Sequence, residues 1–137
     1  MEKRNKSGCL DLTAFEALNN VAKSEKRYKA LVYIASPYAG DIGFNIARAQ
    51  GYCRFAVSKG SIPLAPHLLF PQFMDDDDAE QRKLGLRFAL ILLGKCDELW
   101  VFGEKISAGM AAEIDKAKRR GMPIKYFSAK CEEKNER

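Results

Sequence analysis

The sequence predicts one α/β domain built on a parallel sheet of about four strands, with helices on both faces. Apolar, partly β-branched runs near residues 30–35, 61–65, 97–103 and 123–127 are typical of buried strands. Between these runs, apolar residues recur three and four positions apart, as they do in amphipathic helices. Strands that alternate with helices are joined by right-handed crossovers, and such crossovers produce a parallel sheet.

The chain divides into three parts by composition and by the pattern of apolar residues. In residues 1–28, Thr13 and Glu16 form a plausible capping box, which predicts an N-terminal helical extension. The alternation of apolar runs and helical patterns then defines a domain over residues 29–128. Residues 129–137 carry three basic and three acidic side chains, and we expect a charged, solvated tail there.

The first strand, residues 30–35, is followed by a helix. Asp41 is a suitable N-cap for this helix, and Gly60 is a suitable C-terminal stop. The apolar face predicted for the core comprises Ile42, Ile46, Ala49, Cys53, Ala56 and Val57.

The second strand, residues 61–65, contains Pro63, which argues for a sheet edge or a strand start. A long loop follows and ends in the acidic run Asp75–Asp78. Residues 79–95 then read as a second helix. Its predicted core face comprises Leu84, Phe88, Ile91 and Leu92.

The third strand, residues 97–103, leads to a helix that begins near Ser107. Basic residues in the last turns suit the negative end of the helix dipole, and Gly121 and Pro123 favour a chain reversal. These basic residues are Lys116, Lys118, Arg119 and Arg120. Residues 123–127 complete the predicted sheet.

Composition excludes several classes of protein. The 137 residues carry a net charge of +5 with both signs interspersed, which argues against a nucleic acid polymer as partner. Four cysteines without a CxxC pair, together with a single histidine, predict a reduced cytoplasmic protein and no metal site. No apolar run exceeds the six residues of 88–93, which is too short to span a bilayer, so no membrane partner is expected. The GxGxxG and GxxxxGK[ST] motifs are absent, and we expect neither a dinucleotide nor another cofactor.

The chemistry of the domain is expected beyond the carboxyl ends of its strands, where parallel sheets bind ligands. Three segments leave those ends: residues 36–40, residues 66–67 and residues 103–110. The third is the richest, because Ser107 is a potential N-cap and Gly109 and Glu113 share one helix face. The alternative is an ordinary capped helix whose Glu113 side chain points to solvent or pairs with Lys116.

Two further features allow more than one interpretation. His67 is either a functional residue or a loop histidine that bonds to the backbone. The run Asp75–Asp78 is either a cation site or a solvated loop whose last member caps the next helix. We assign no metal to this run.

Three segments resemble a known family: Tyr33 to Gly40, Ile62 to Phe73, and Cys96 through Glu113. Over residues 29–127 the chain resembles the uncharacterised DUF4406-like family. That family is similar to the nucleoside 2-deoxyribosyltransferase superfamily, which includes deoxynucleoside monophosphate N-glycosidases. The resemblance implies a Rossmann-like, flavodoxin-like fold and cleavage of an N-glycosidic bond in a small-molecule nucleoside or nucleotide. It also implies a homo-oligomer.

The resemblance also implies roles for particular residues. Glu113 is the expected nucleophile and Tyr33 is expected to orient it. The substrate-binding residues implied are Ser36, Pro37, Tyr38, Gly40, Ser107, Gly109 and Met110. The chain departs from the enzymes at Ala89, where they commonly carry an aspartate, so His67 or a residue of the acidic run is the expected general acid. The alternative function is a non-catalytic nucleotide-binding or regulatory module of the same fold.

Overall fold

A five-stranded sheet forms the centre of the domain in a computed structural model that describes residues 29–135. The predicted helical extension of residues 1–28 lies outside the described residues. The elements are β1 (Leu31–Ala35), α1 (Ile42–Ser58), β2 (Ile62–Leu64), α2 (Ala79–Leu93), β3 (Glu98–Phe102), α3 (Ala108–Arg119), β4 (Ile124–Phe127) and β5 (Glu133–Lys134). The strands lie in the sheet in the order β2-β1-β3-β4-β5. Two short 3-10 turns, Pro66–Leu68 and Phe70–Gln72, lie in the loop between β2 and α2.

The predicted parallel α/β architecture is confirmed. Neighbouring strands from β2 to β4 pair in parallel, and β5 adds an antiparallel edge. Pro63 lies in β2 at the other edge of the sheet, as its missing N–H requires.

Strand β5 differs from the solvated tail predicted for residues 129–137. Its pairs are Phe127 with Glu133 and Tyr126 with Lys134. Ser128 organises the turn before it, because its N–H donates to the carbonyl of Glu132 at 2.8 Å and its carbonyl accepts from Cys131 at 2.9 Å. Pairing of this kind uses backbone groups, so the charged composition gives no signal for it.

Alternating side chains of the central strands build two cores. On one face, Val32 and Ile34 of β1 pack with residues of α1 such as Tyr52. On the other face, Tyr33 and Ala35 pack with residues of α2 and α3. The sheet is therefore covered by α1 on one side and by α2 and α3 on the other.

The predicted core faces of two helices need correction. In α1 the buried residues are Ala49, Tyr52 and Ala56, whereas Val57 is 60% exposed and Ile42 is also exposed. In α2 the predicted residues Leu84, Phe88 and Ile91 are exposed, while Leu93 is fully buried and Ala89 and Leu90 pack on the core. The hydrophobic pattern of α2 has two apolar sides, and only contact with the sheet decides which one is buried.

The three predicted helix starts are confirmed. The Asp41 carboxylate accepts from the N–H of Phe44 at 3.1 Å, and the Asp78 carboxylate accepts from the N–H of Glu80 at 3.0 Å. The Ser107 hydroxyl accepts from the N–H of Met110 at 3.2 Å. Each cap satisfies an N–H group that the helix itself cannot pair. Within residues 29–135, no helix combines the length and apolar character needed to cross a membrane.

Candidate functional site

The strand order places a crevice between the carboxyl ends of β1 and β3. The chain proceeds from β1 outward to β2 and returns to the other side of β1 for β3, so this is the point where strand order reverses. The loops that border the crevice are residues 36–40 and residues 103–107. Gly103 has a φ of +99°, a conformation that residues with a Cβ rarely adopt. A Cβ added at this position would lie 4.0 Å from Cδ of Pro37. The two loops therefore meet closely at a glycine.

Tyr33 and Glu113 form a hydrogen-bonded pair on the α3 side of the sheet. The phenol of Tyr33, which is 1% exposed, donates to Oε2 of the half-buried Glu113. The ammonium of Lys116 instead donates to the carbonyl of Leu90 at 2.5 Å. The alternative in which Glu113 points to solvent or pairs with Lys116 is therefore wrong.

Burial dominates the titration of this pair. Desolvation raises the pKa of Glu113 to about 7, although the hydrogen bond from Tyr33 acts in the opposite direction. The pKa of Tyr33 is also raised, first by burial and then by the negative charge of Glu113. The carboxyl group is thus poised between its protonated and ionised forms near neutral pH, as is typical of functional carboxyl groups.

The residues at the start of α3, close to the Tyr33–Glu113 pair, differ in their burial. Gly109 lies against α2, because a Cβ there would be 4.0 Å from Cδ2 of Leu86 and from Oγ of Ser107. The side chain of Met110 is 2% exposed in the core, and its N–H is occupied by the Ser107 cap. Ser107 and Gly109 therefore lie at the surface of the helix start, whereas Met110 supports it from inside.

A second cluster follows β1 and contains Ser36, Tyr38 and His67. Oγ of the buried Ser36 lies 3.0 Å from Nε2 of His67. The ring of Tyr38 meets the imidazole edge-on, with 6.1 Å between the ring centroids. Burial lowers the pKa of His67 to about 4, so the imidazole is neutral at pH 7. The partner of His67 is a hydroxyl group rather than the backbone that the alternative interpretation expected.

The acidic run Asp75–Asp78 is a loop whose last member caps the next helix, which is the second of the two interpretations. Asp78 caps α2, and the carboxylate of Asp75 accepts from the N–H of Asp77 at 2.9 Å. Burial is the larger cause that raises the pKa of Tyr38, and the negative charge of Asp76 adds to it. This loop therefore approaches the cluster at the end of β1. In the described part of the chain, no group of three or more His, Cys, Asp or Glu side chains could hold a metal ion.

The predicted site residues therefore form two groups that flank the end of β1. Tyr33 belongs to the core shared with α2 and α3, and it holds Glu113. Ser36, three residues further along the extended chain, meets His67 instead. Gly40 lies beyond them on the exposed loop with a φ of +95°. Side chains three positions apart in extended chain point to opposite sides, which explains the separation.

Sequence reasoning missed the residues of α1 that face the crevice. A cavity of about 200 Å³ is lined by Pro37, Asn45, Arg48 and residues of the loop after β3. The side-chain amide of Asn45 donates to the carbonyls of Tyr38 at 3.0 Å and Ala39 at 2.9 Å, which holds the loop after β1. The available signal was the spacing of Phe44, Arg48 and Tyr52, which places all three on one helix face.

Comparison with protein families assigns most of the domain. The family model described as "Domain of unknown function (DUF7768)" matches residues 30–127, so the chain belongs to that family. The resemblance to the DUF4406-like family stays a prediction. No curated protein matches the sequence.

Among solved structures, the fold is similar to that of a 2-deoxyribosyltransferase from the psychrotolerant bacterium Bacillus psychrosaccharolyticus. The two chains share 20% sequence identity, the match covers 72% of each chain, and the TM-score is 0.57. That protein is described as a biocatalyst for the synthesis of antiviral and antitumoral nucleosides. At this identity the likeness shows a shared nucleoside deoxyribosyltransferase-like fold.

From the raised pKa of Glu113 we predict how the free energy of unfolding depends on pH. Its folded pKa of about 7 exceeds the ordinary value of 4.5, so the folded state retains a proton that the unfolded state releases. The free energy of unfolding should therefore fall as the pH rises from about 4.5 to about 7, with a contribution of about 3 kcal/mol from this group. Urea unfolding of the wild type and of Glu113→Gln across this range measures the contribution as a difference.

The matched control is Glu132→Gln, which changes an exposed glutamate in the turn before β5. This variant should retain the wild-type dependence on pH, whereas Glu113→Gln should show a flatter one. Identical profiles for the wild type and Glu113→Gln would contradict the assigned pKa.

Proposed function

We propose that this member of the DUF7768 family cleaves the N-glycosidic bond of a nucleoside or nucleotide through a covalent intermediate on Glu113. The observation that carries the proposal is the hydrogen bond between the buried Tyr33 phenol of a central strand and the Glu113 carboxylate of α3. A carboxyl group desolvated in such a place is suited to nucleophilic or acid–base work. The likeness to a deoxyribosyltransferase fold supports the same class of substrate.

The proposed reaction has two displacements. The carboxylate of Glu113 attacks the anomeric carbon, the bond from that carbon to the base nitrogen breaks, and its electron pair leaves with the base. Water or the nitrogen of a second base then attacks the same carbon, loses its proton and releases the carboxylate. Two inversions give overall retention of configuration, as in retaining glycosidases.

Tyr33 acts as a positioning residue in this scheme. Its phenol donates to Oε2 of Glu113, which directs Oε1 towards the sugar. The same hydrogen bond favours the ionised carboxylate and so opposes the effect of burial. Ionisation is required because only the carboxylate is a nucleophile.

The departing base needs a proton, and Asp76 is our proposed donor. His67 is given a different role, because its Nε2 lies 3.0 Å from Oγ of Ser36 and it can orient that hydroxyl towards the substrate. Burial raises the pKa of Tyr38 and the charge of Asp76 adds to this effect, so Asp76 lies near the end of β1.

One observation favours the second candidate function, a non-catalytic nucleotide-binding or regulatory module. Ala89 packs on the core of α2 at the position where the enzymes that the chain resembles carry an aspartate. A domain that lacks this acid could retain the crevice without turnover. Binding of a nucleotide that raises the melting temperature, with no release of base, would support this alternative.

We further propose a homo-oligomer in the cytoplasm. Large apolar side chains are exposed on α2 and on the loop before it, and the ring of Phe70 joins those of Phe73 and Phe88, as is typical of apolar surface at interfaces. The exposed side chains are Leu69, Phe73, Leu84, Leu86, Phe88 and Ile91. Light scattering of the purified chain should report a multiple of the monomer mass, and a monomer at micromolar concentration would contradict the proposed oligomer.

The cytoplasmic location is supported by the free thiols of Cys53, Cys96 and Cys131, which suit a reducing compartment.

Replacement of the nucleophile should abolish turnover. Glu113→Gln should lower kcat for release of free base by about 10³-fold or more, because an amide cannot form the glycosyl ester. Chromatography after incubation with a panel of nucleosides and 5′-monophosphates measures the released base. Asp115→Asn, on an exposed face of the same helix, is the matched control and should retain wild-type turnover. Equal rates for Glu113→Gln and the wild type would remove Glu113 from the mechanism.

Tyr33→Phe separates positioning from a purely structural effect. The variant keeps the nucleophile but lacks the hydrogen bond that lowers the pKa of Glu113. Its activity should rise with pH through an apparent pKa higher than the wild-type value near 7, because ionisation becomes harder. A reduced rate with an unshifted pH profile would mean that Tyr33 does not tune Glu113.

The proposed acid is tested by the choice of leaving group. Asp76→Asn should slow cleavage of an ordinary nucleoside by about 10²-fold. It should have little effect on a synthetic deoxyriboside with a phenolate leaving group, which departs without a proton. The neighbouring substitution Asp77→Asn is the control and should affect neither substrate. An equal loss of activity on both substrates would argue against proton donation by Asp76.

A further inference from the structure

The crevice at the switch point continues on the face of the sheet opposite Glu113, as a cleft where α1 approaches the loops after β1, β3 and β4. Two adjoining cavities of about 200 Å³ and about 340 Å³ form it. Phe44, Arg48, Tyr52 and Ala129 line both cavities. The mechanism proposed for Glu113 uses none of these four residues.

Arg48 is the central charged group of this cleft. Its Nη1 donates to the carbonyl of Ala129 at 3.1 Å, and its guanidinium carbon lies 4.9 Å from the centroid of the Phe44 ring. Arg48 also lies close enough to Tyr52 to lower that phenol's pKa against the larger effect of burial. These contacts hold the side chain in one place, while a guanidinium with five N–H donors retains donors for a ligand.

The surrounding charge is positive. Lys105 lines the smaller cavity and Lys130 lines the larger one. Glu104 is the acidic residue among the lining residues, and the ammonium of Lys134 lies 3.5 Å from its carboxylate. Because Lys134 offsets Glu104, three cations face the cleft without matching acidic charge. An anionic ligand would therefore be attracted to it.

The position of the cleft points to a ligand of nucleotide size. Pro37 and Gly103, which flank the β1/β3 switch point, also line the smaller cavity. Open α/β sheets bind ligands at this point. A planar, anchored guanidinium matches the oxygen geometry of phosphate, and lysines add point charges around it.

We propose that this cleft binds a phosphate monoester, with Arg48 as its principal contact and with Lys105 and Lys130 as supporting cations. The phosphate has two possible sources. It is either the 5′-phosphate of the substrate, reaching across the end of β1, or the phosphate of a separate effector. Binding at Arg48 does not require catalysis at Glu113.

Calorimetric titration of Glu113→Gln with a nucleoside 5′-monophosphate, the parent nucleoside and inorganic phosphate tests the proposal without turnover. The monophosphate should bind at least about tenfold more tightly than the nucleoside, and added salt should weaken its binding. Adding Arg48→Ala should remove at least about tenfold of this affinity, while Arg48→Lys should restore part of it. Arg119→Ala, which removes an arginine paired with Asp115 at 3.0 Å on α3, is the charge-matched control and should bind as before.

Unchanged affinity in both Arg48 variants would overturn the proposal, as would equal affinity for the nucleoside and its monophosphate. Because Arg48→Lys keeps the positive charge, it still tests the site if the alanine variant does not fold. If the site belongs to the substrate, Arg48→Ala with intact Glu113 raises KM for the monophosphate alone. If it belongs to an effector, inorganic phosphate changes the turnover of the unphosphorylated nucleoside, and this effect requires Arg48. Failure of the proposed catalysis would leave the calorimetric result intact, so the two proposals fail separately.

Discussion

The burial of β1 on both faces is the constraint on which the rest of the structure depends. This strand pairs with β2 on one side and with β3 on the other, and its side chains enter both cores in alternation. The alternation sends Tyr33 towards Glu113 and leaves Ser36 beside His67. One strand therefore determines the separation of the two groups that flank the crevice, because extended chain cannot send neighbouring side chains the same way.

Desolvation gives each of these groups its chemical character. The same burial that raises the pKa of Glu113 to about 7 lowers that of His67 to about 4, because in both cases it disfavours the charged form. The carboxyl group thereby becomes able to exchange a proton near neutral pH, while the imidazole becomes a neutral hydrogen-bonding group. The division of labour proposed for the two residues follows from this opposite response.

A carboxyl group and a group of cations lie on opposite faces of the sheet near the switch point. Glu113 belongs to α3, whereas Arg48 belongs to α1 on the opposite face, and the loops after β1 and β3 separate them. The modest net charge of +5 conceals this arrangement, because three cations gather around one cleft while the acidic run lies on a different loop. The local distribution of charge, rather than the total, therefore indicates what each side can bind.

The sequence by itself determined the order of the elements from β1 to β4, the parallel sheet that these strands form, and the helix caps at Asp41 and Ser107. It offered the edge position of Pro63 and the cap at Asp78 each as one of two alternatives. These features depend on local hydrogen bonding and on the period of apolar residues, which neighbouring residues encode. Resemblance in the sequence also suggested that Tyr33 serves Glu113. The tertiary structure alone decided which side of α2 is buried, that Glu133 and Lys134 form a strand, and that Arg48 faces the crevice. Each of these depends on contact between segments distant in the chain, which no local pattern specifies.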